Sequence, residues 1–174
     1  YLIRPDGSEL RRLTDGGKET NRLGVWSYDG RTLTLSSNRR DPAAIDAYLV
    51  DVATGKLQLI TQNPGVGIFT DVSRDRRYAI LYRQRSRSSN DLFLVELATG
   101  KEILLTPHEG PGNFFGVFSP DGRMVYLSSD KDRDLAAFAR IKLGPEAQPG
   151  PVEVLAARDD AELQGFKLNE QGTS

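Results

Sequence analysis

The sequence predicts an all-β protein built from repeated four-stranded antiparallel units, and three observations carry that prediction. Ser27, Ser73 and Ser119 open variants of one sentence, WSYDGRTLTLSS, VSRDRRYAILYR and FSPDGRMVYLSS, each 46 residues after the one before. A second sentence, YLVDVATGK from Tyr48, returns as FLVELATGK from Phe93, 45 residues on. Between them lie short apolar runs of period two, separated by Asp-Gly and Thr-Gly turns. A fixed period of this length marks stacked sheet units, each too small to bury its own faces alone. Four strands in about 45 residues is the size of one blade of a β-propeller.

The first complete unit occupies residues 23–67. Leu23 to Trp26 reads as a short strand, and Asp29-Gly30 as the hairpin turn after it. Thr32 to Ser36 alternates like a half-buried strand. A polar loop, Ser37 to Ala44, leads to a third strand at Ala47 to Asp51. Ala53-Thr54-Gly55 turns the chain into a fourth at Leu57 to Ile60.

The second unit, residues 68–113, repeats this order with strands at Ile68 to Val72, Tyr78 to Tyr82, Leu92 to Leu97 and Glu102 to Leu105. In the third, residues 114–162, Phe114 to Phe118, Met124 to Ser128 and Phe138 to Leu143 are strands. There a longer loop rich in proline and glycine, Gly144 to Pro151, replaces the Ala-Thr-Gly turn. No segment has a convincing apolar helical period, although Asp159 to Leu163 could form one short turn.

Partial copies stand at both ends. Residues 1–22 match the end of a preceding unit, with Gly7 where Gly55 and Gly100 stand in the others. Residues 163–174 resemble the opening of a next unit. Three complete blades fall short of the usual four to eight of a closed ring. The chain is therefore expected to be an incomplete propeller, poorly stable or aggregating when residues 1–174 are isolated.

Composition excludes several functions. The net charge of −1 over 174 residues gives no electrostatic case for nucleic acid or an anionic membrane surface. No apolar run approaches the roughly 18 residues of a membrane helix. The absence of cysteine removes disulfides and thiolate metal sites. It leaves the compartment open, with the cytoplasm favoured and the periplasm as the other choice.

A search for chemistry nominates no catalytic, cofactor or metal residue. GVWSYDG and GVFSPDG miss the spacing of a nucleophile elbow. His108 is the only histidine; it lies in the connector Thr106-Pro107-His108-Glu109-Gly110 and reads as a solvated loop residue. Asp130, Asp132 and Asp134 alternate as in a calcium loop. An EF-hand, however, requires glycine and glutamate where Leu135 and Ile141 stand, so a charged loop is the reading.

The arginines of the second unit are its most unusual feature. Arg74, Arg76 and Arg77 crowd the first turn, and Arg83, Arg85 and Arg87 alternate past the second strand. If the strand reaches that far, the last three share a face where guanidinium forks could hold carboxylate or phosphate. A solvated hairpin whose charge guards a strand end is the favoured reading. Trp26, Val72 and Phe118 occupy one equivalent position and read as packing between blades.

The sentence FSPDGRMVYLSSDKDRD, with YLVDVATGK and FLVELATGK, resembles the propeller repeats of two groups. One is the amino-terminal propeller of serine peptidases of the prolyl oligopeptidase family, which includes acylaminoacyl peptidases and dipeptidyl peptidases; the other is the TolB-like propeller. The tail PVEVLAARDDAELQGFKLNEQGTS, from Pro151 to Ser174, is similar to bacterial members of the peptidase family. That resemblance implies a propeller over an α/β-hydrolase domain that carries the Ser-Asp-His triad beyond Ser174. This portion would then be a gate for peptide substrates with no bond-breaking role and no cofactor. The alternative is a TolB-like scaffold that binds other proteins, and a smaller share of the expectation falls to propeller lyases with sites in the channel.

Overall fold

The computed structural model describes residues 1–169 and 171. It contains three four-stranded antiparallel sheets, each laid out in chain order. Blade 1 consists of β1 (Asn21–Trp26), β2 (Thr32–Ser37), β3 (Asp46–Asp51) and β4 (Leu57–Thr61). Blade 2 holds β5 (Gly67–Val72), β6 (Tyr78–Ser86), β7 (Ser89–Glu96) and β8 (Glu102–Leu104). Blade 3 holds β9 (Phe114–Phe118), β10 (Met124–Ser129), β11 (Ala137–Leu143) and β12 (Pro149–Ala156). The propeller-fragment architecture read from the repeat is the one observed.

The repeated serine explains why the same turn forms three times. Ser27 Oγ donates to the carboxylate of Asp29 at 2.8 Å and accepts the Thr32 amide at 2.9 Å. Ser73 does the same with Asp75 and Tyr78, and Ser119 with Asp121 and Met124. Each aspartate then accepts the amide two residues on, at Arg31, Arg77 or Arg123. The bracket closes the hairpin through side chains, so the residues between can vary. Its αL position is Gly30 or Gly122 in two blades and Arg76, at φ 56°, in the third. A non-glycine residue there is strained by roughly 1–2 kcal/mol.

Central strands carry consecutive buried positions in blades 1 and 2, whereas β10 and β11 of blade 3 alternate buried with more exposed ones. Thr32–Ser37 is buried at five consecutive positions instead of half-buried, because blade 2 packs on one face of it and the amino-terminal segment covers the other. Ala47, Phe69, Val72, Ala79, Leu81 and Val95 fill the seam between blades 1 and 2. Ile80, Leu92, Leu94, Phe114, Phe118, Val125, Leu127 and Ile141 fill the seam between blades 2 and 3. Leu2 and Leu13 of the amino-terminal segment cover Leu33, Leu35 and Val50 on the far side of blade 1. That segment pairs only at Leu2 with Arg11, and Gly7 has φ 84°, close to the 74° and 73° of Gly55 and Gly100.

Two local expectations are corrected. The loop between β11 and β12 is shorter than the proline content suggested: a 3₁₀ turn at Pro145–Ala147, then β12 from Pro149. Proline lacks an N–H but is tolerated on an edge strand, and β12 is the outer edge of its sheet. No helical turn forms at Asp159 to Leu163. Leu163 instead donates its amide to Ala136 O at 3.0 Å, and Phe166 packs 5.0 Å from Phe138, ring to ring. Of the anticipated next unit, residues 163–169 form no strand, and Gly172 lies outside the described residues.

Candidate functional site

The first strand of each blade, β1, β5 and β9, lies at one edge of its sheet, and these three strands pack side by side. They are tied directly: Thr70 Oγ1 donates to Gly116 O at 2.8 Å, and the Phe118 amide donates to Asp71 Oδ2 at 2.7 Å. In a propeller this edge faces the axis. Where β1, β5 and β9 end, a pocket of about 500 Å³ opens. Its walls include Trp26, Tyr28, Asp71, Arg74, Phe118 and Lys167.

Val72 and Phe118 pack between blades as expected and are 6% and 7% exposed. Trp26, at the equivalent position, is 48% exposed and forms pocket wall instead. Val72 faces blade 1 and Phe118 faces blade 2. On the corresponding side of Trp26 no sheet stands among the described residues. Tyr28 is 65% exposed, and the Arg74 guanidinium lies 4.2 Å from its ring centroid. Arg76 reaches the same turn of blade 1, 3.3 Å from Asp29. Arg77 stays on its own blade, over Tyr78.

Asp71 is the pocket-wall residue that sequence reading passed over. Val25 and Val117 hold the equivalent places, so the departure from the repeat was there to be seen. Its two oxygens accept the Val72 and Phe118 amides, at 2.8 and 2.7 Å. Burial pushes its carboxyl above the usual range, against the pull of those two donors. The turn aspartates go the other way. Asp29 and Asp121 are held below the ordinary value first by the serine hydroxyl and then by the arginine amide. For Asp75 burial is the largest influence and raises it, but the Ser73 and Arg77 hydrogen bonds together outweigh it.

The sign of each shift gives an expected pH profile. A carboxyl lowered on folding contributes stability that is full above its ordinary pKa of 3.8 and is lost as pH falls through its folded value. The raised Asp71 contributes stability that is full below that value and lost as pH rises through its folded pKa. Urea midpoints measured from pH 6 to pH 3 should therefore drop steeply on the acid side. Asp75→Asn should flatten that drop, and an unchanged slope would show that the turn bracket contributes no proton linkage.

The remaining candidates fall elsewhere. β6 does extend past Arg83 and Arg85, and their forks do hold carboxylates, but those of this chain. Arg83 grips Glu102 through both terminal nitrogens, at 2.8 and 2.7 Å, and donates to Asn63 Oδ1 at 2.8 Å. The ladder slips between Gln84 and Ser86, and Arg85 pairs with Asp91 at 3.6 Å. Arg87 lies outside the strand, exposed in the turn. The three therefore do not form one ligand-holding face.

His108 is corrected outright. Its side chain is 2% exposed, with Nε2 3.2 Å from Asp91 and its ring 5.1 Å from that of Phe114. It is a buried partner of Asp91 rather than a solvated loop residue, because the connector folds back over β7. Asp130 spends both oxygens on the amide and side chain of Asn113. Among the described residues no group of three or more His, Cys, Asp or Glu side chains is placed to hold a metal.

No family model matches this chain, and no curated protein does. Solved structures do. TolB from Acinetobacter baumannii is similar at 18% identity and TM-score 0.71, over 98% of this chain and 40% of that one. A prolyl endopeptidase is similar at 18% identity and TM-score 0.73, over 95% of this chain and 26% of that one. An oligogalacturonate lyase from Vibrio parahaemolyticus follows at 15% and 0.65, over 84% and 42%. Both kinds of propeller anticipated from the repeats are thus among the structural neighbours. The chain spans less than half the length of each, and identities this low establish a common propeller fold, which hosts unrelated functions.

Proposed function

We propose that this chain is the non-catalytic propeller portion of a serine peptidase of the prolyl oligopeptidase kind, gating peptide access to an α/β-hydrolase domain outside these residues. The observation that carries the reading is the axial pocket. It is open, within the roughly 300–1,000 Å³ of ligand sites, and walled by aromatic and cationic side chains that bind without breaking bonds. Its one wall serine, Ser119, already donates to Asp121 and accepts Met124, as Ser27 and Ser73 do in their turns. An oxygen committed in both directions with no histidine beside it is no nucleophile. The similarity of Pro151 to Ser174 to the peptidase family supports the same reading.

The test is to read the coding frame past Ser174. A Gly-x-Ser-x-Gly motif followed by aspartate and then histidine is expected. Chain termination soon after a last blade would sink the peptidase reading. It would favour a TolB-like protein-binding scaffold, the alternative supported by the match to TolB over 98% of the chain.

A further inference from the structure

Four aspartates of this chain are followed by glycine: Asp6-Gly7, Asp15-Gly16, Asp29-Gly30 and Asp121-Gly122. Such a pair is open to self-reaction, because glycine has no Cβ to shield its amide nitrogen from the carboxyl one residue back. A carboxyl tethered that close meets the nitrogen in an intramolecular step. The four pairs differ in what holds their reacting atoms.

Three are tied at both groups. The Asp29 carboxylate accepts the Ser27 hydroxyl and the Arg31 amide, and the Gly30 amide donates to Ser27 O at 2.9 Å. Asp121 accepts from Ser119 and Arg123 in the same way, and Gly122 donates to Ser119 O at 2.9 Å. Asp6 accepts both the amide and the hydroxyl of Ser8, and Gly7 donates to Arg4 O at 2.9 Å. All three carboxyls are held below the ordinary value, first by the serine hydroxyl and then by a backbone amide. The ionised form so favoured has no hydroxyl to give up.

Asp15-Gly16, in the loop before β1, has none of these restraints. Its carboxylate is fully exposed, and among the described residues its one ion pair is with Arg39, at 3.9 Å. The Gly16 amide has no hydrogen-bond partner among the described residues. The strong contact lies on the carbonyl side of the same peptide, where the Arg12 guanidinium donates to Thr14 O and Asp15 O. There it stabilises the negative charge that gathers on Asp15 O as the Gly16 nitrogen loses its proton. Glycine is required at this place: φ is 78°, and a Cβ would collide with Arg12. Leu13, packed on blade 1, and Thr20, whose amide donates to Asn38 Oδ1 at 2.6 Å, anchor the loop on either side.

We propose that Asp15-Gly16 is a site of spontaneous isoaspartate formation and that hydrogen bonds in their turns protect the other three pairs. The Gly16 nitrogen gives its proton to solvent and attacks Asp15 Cγ. The carboxylic acid releases its hydroxyl as water, and a succinimide ring closes. Water then opens the ring at either carbonyl. Opening at Cγ restores aspartate, whereas opening at the α-carbonyl leaves the main chain running through Cγ, one methylene longer. One water leaves and one enters, with no change of oxidation state.

The full-length protein that contains this chain would be held at pH 6 and 37 °C in water enriched in oxygen-18, then digested in ordinary water. Only rings opened during the incubation then carry the heavy oxygen. Peptide mass spectra should show label at Asp15 at tenfold or more the level at Asp6, Asp29 or Asp121, with isoaspartate at position 15. Arg12→Gln should slow that labelling threefold or more. Ser119→Ala should raise labelling at Asp121 fivefold or more, with the thermal midpoint as the check on folding. Asp15→Asn alters only an exposed side chain; it should cyclise faster, releasing ammonia, and serves where a turn variant does not fold.

Equal labelling of the four pairs overturns the proposal. So does an unlabelled Asp15 over a period in which a blocked Thr-Asp-Gly-Gly peptide takes up label. An unchanged rate in Arg12→Gln overturns the part assigned to Arg12, and an unlabelled Asp121 in folded Ser119→Ala overturns protection by the turn.

Discussion

Replacing Asp46 by alanine is expected to cost the fold about 2–4 kcal/mol, read as a drop in the urea midpoint with unchanged m-value. Asp46 is fully buried at the start of β3. Its carboxylate takes Arg40 Nε at 2.6 Å, Arg40 Nη2 at 3.0 Å and the Asn63 amide at 2.8 Å. Burial pushes this carboxyl up, but the Arg40 hydrogen bonds and the Asn63 amide outweigh it and hold it below the usual value. The alanine would leave a buried amide without an acceptor and a guanidinium without its anion. Arg40 is 34% exposed and can partly rehydrate, which keeps the loss below the full figure for an enclosed pair.

The effect would spread beyond blade 1. Asn63 also accepts Arg83 Nε, and Arg83 grips Glu102 on the outermost strand of blade 2. Arg40, Asp46, Asn63, Arg83 and Glu102 thus form one polar chain across the seam. A double-mutant cycle of Asp46→Ala with Arg83→Ala should show coupling of about 0.5–3 kcal/mol. Strict additivity would show that the two ends act independently.

Ile80→Ala is expected to cost about 2–5 kcal/mol, by lost burial and by the cavity left behind. Ile80 has no exposed surface and packs with Leu92, Leu94, Phe114 and Leu127 in the seam between blades 2 and 3. Its pairing partners, Asp71 on β5 and Leu94 on β7, belong to a ladder that cannot collapse inward without shifting both strands. Leu59→Ala on β4 is the control: Leu59 is 37% exposed, and the change should stay within about 1 kcal/mol. Similar losses at both positions would mean that the seam is not a packed core.

The parts of this structure that were legible in sequence are those set by short-range spacing. Ser27, Ser73 and Ser119 announce their turns because serine, aspartate and the following amides lie within five residues of one another. Alternation placed the strands but misjudged Thr32–Ser37, since period two does not say whether the second face meets water or another blade. The favoured reading of Arg83 as part of a solvated hairpin fails because Glu102 and Asn63 come to it from other elements, 19 and 20 residues away. His108 was misread for the same reason: Asp91 and Phe114 reach it only through the fold. Pro149 and Pro151 argued for a loop until the strand they sit in proved to be a sheet edge.

The serine–aspartate bracket separates two kinds of information in one turn. It closes with the same hydrogen bonds around Tyr28 and Gly30, Arg74 and Arg76, or Pro120 and Gly122, so the enclosed residues can vary at a cost of roughly 1–2 kcal/mol where arginine replaces glycine. A lineage could therefore rewrite what stands at the axial rim one blade at a time while every strand keeps its place. The same holds at the bench. Transplanting Pro120-Asp121-Gly122-Arg123 onto positions 74–77 would erase the local address of blade 2 and leave its architecture standing.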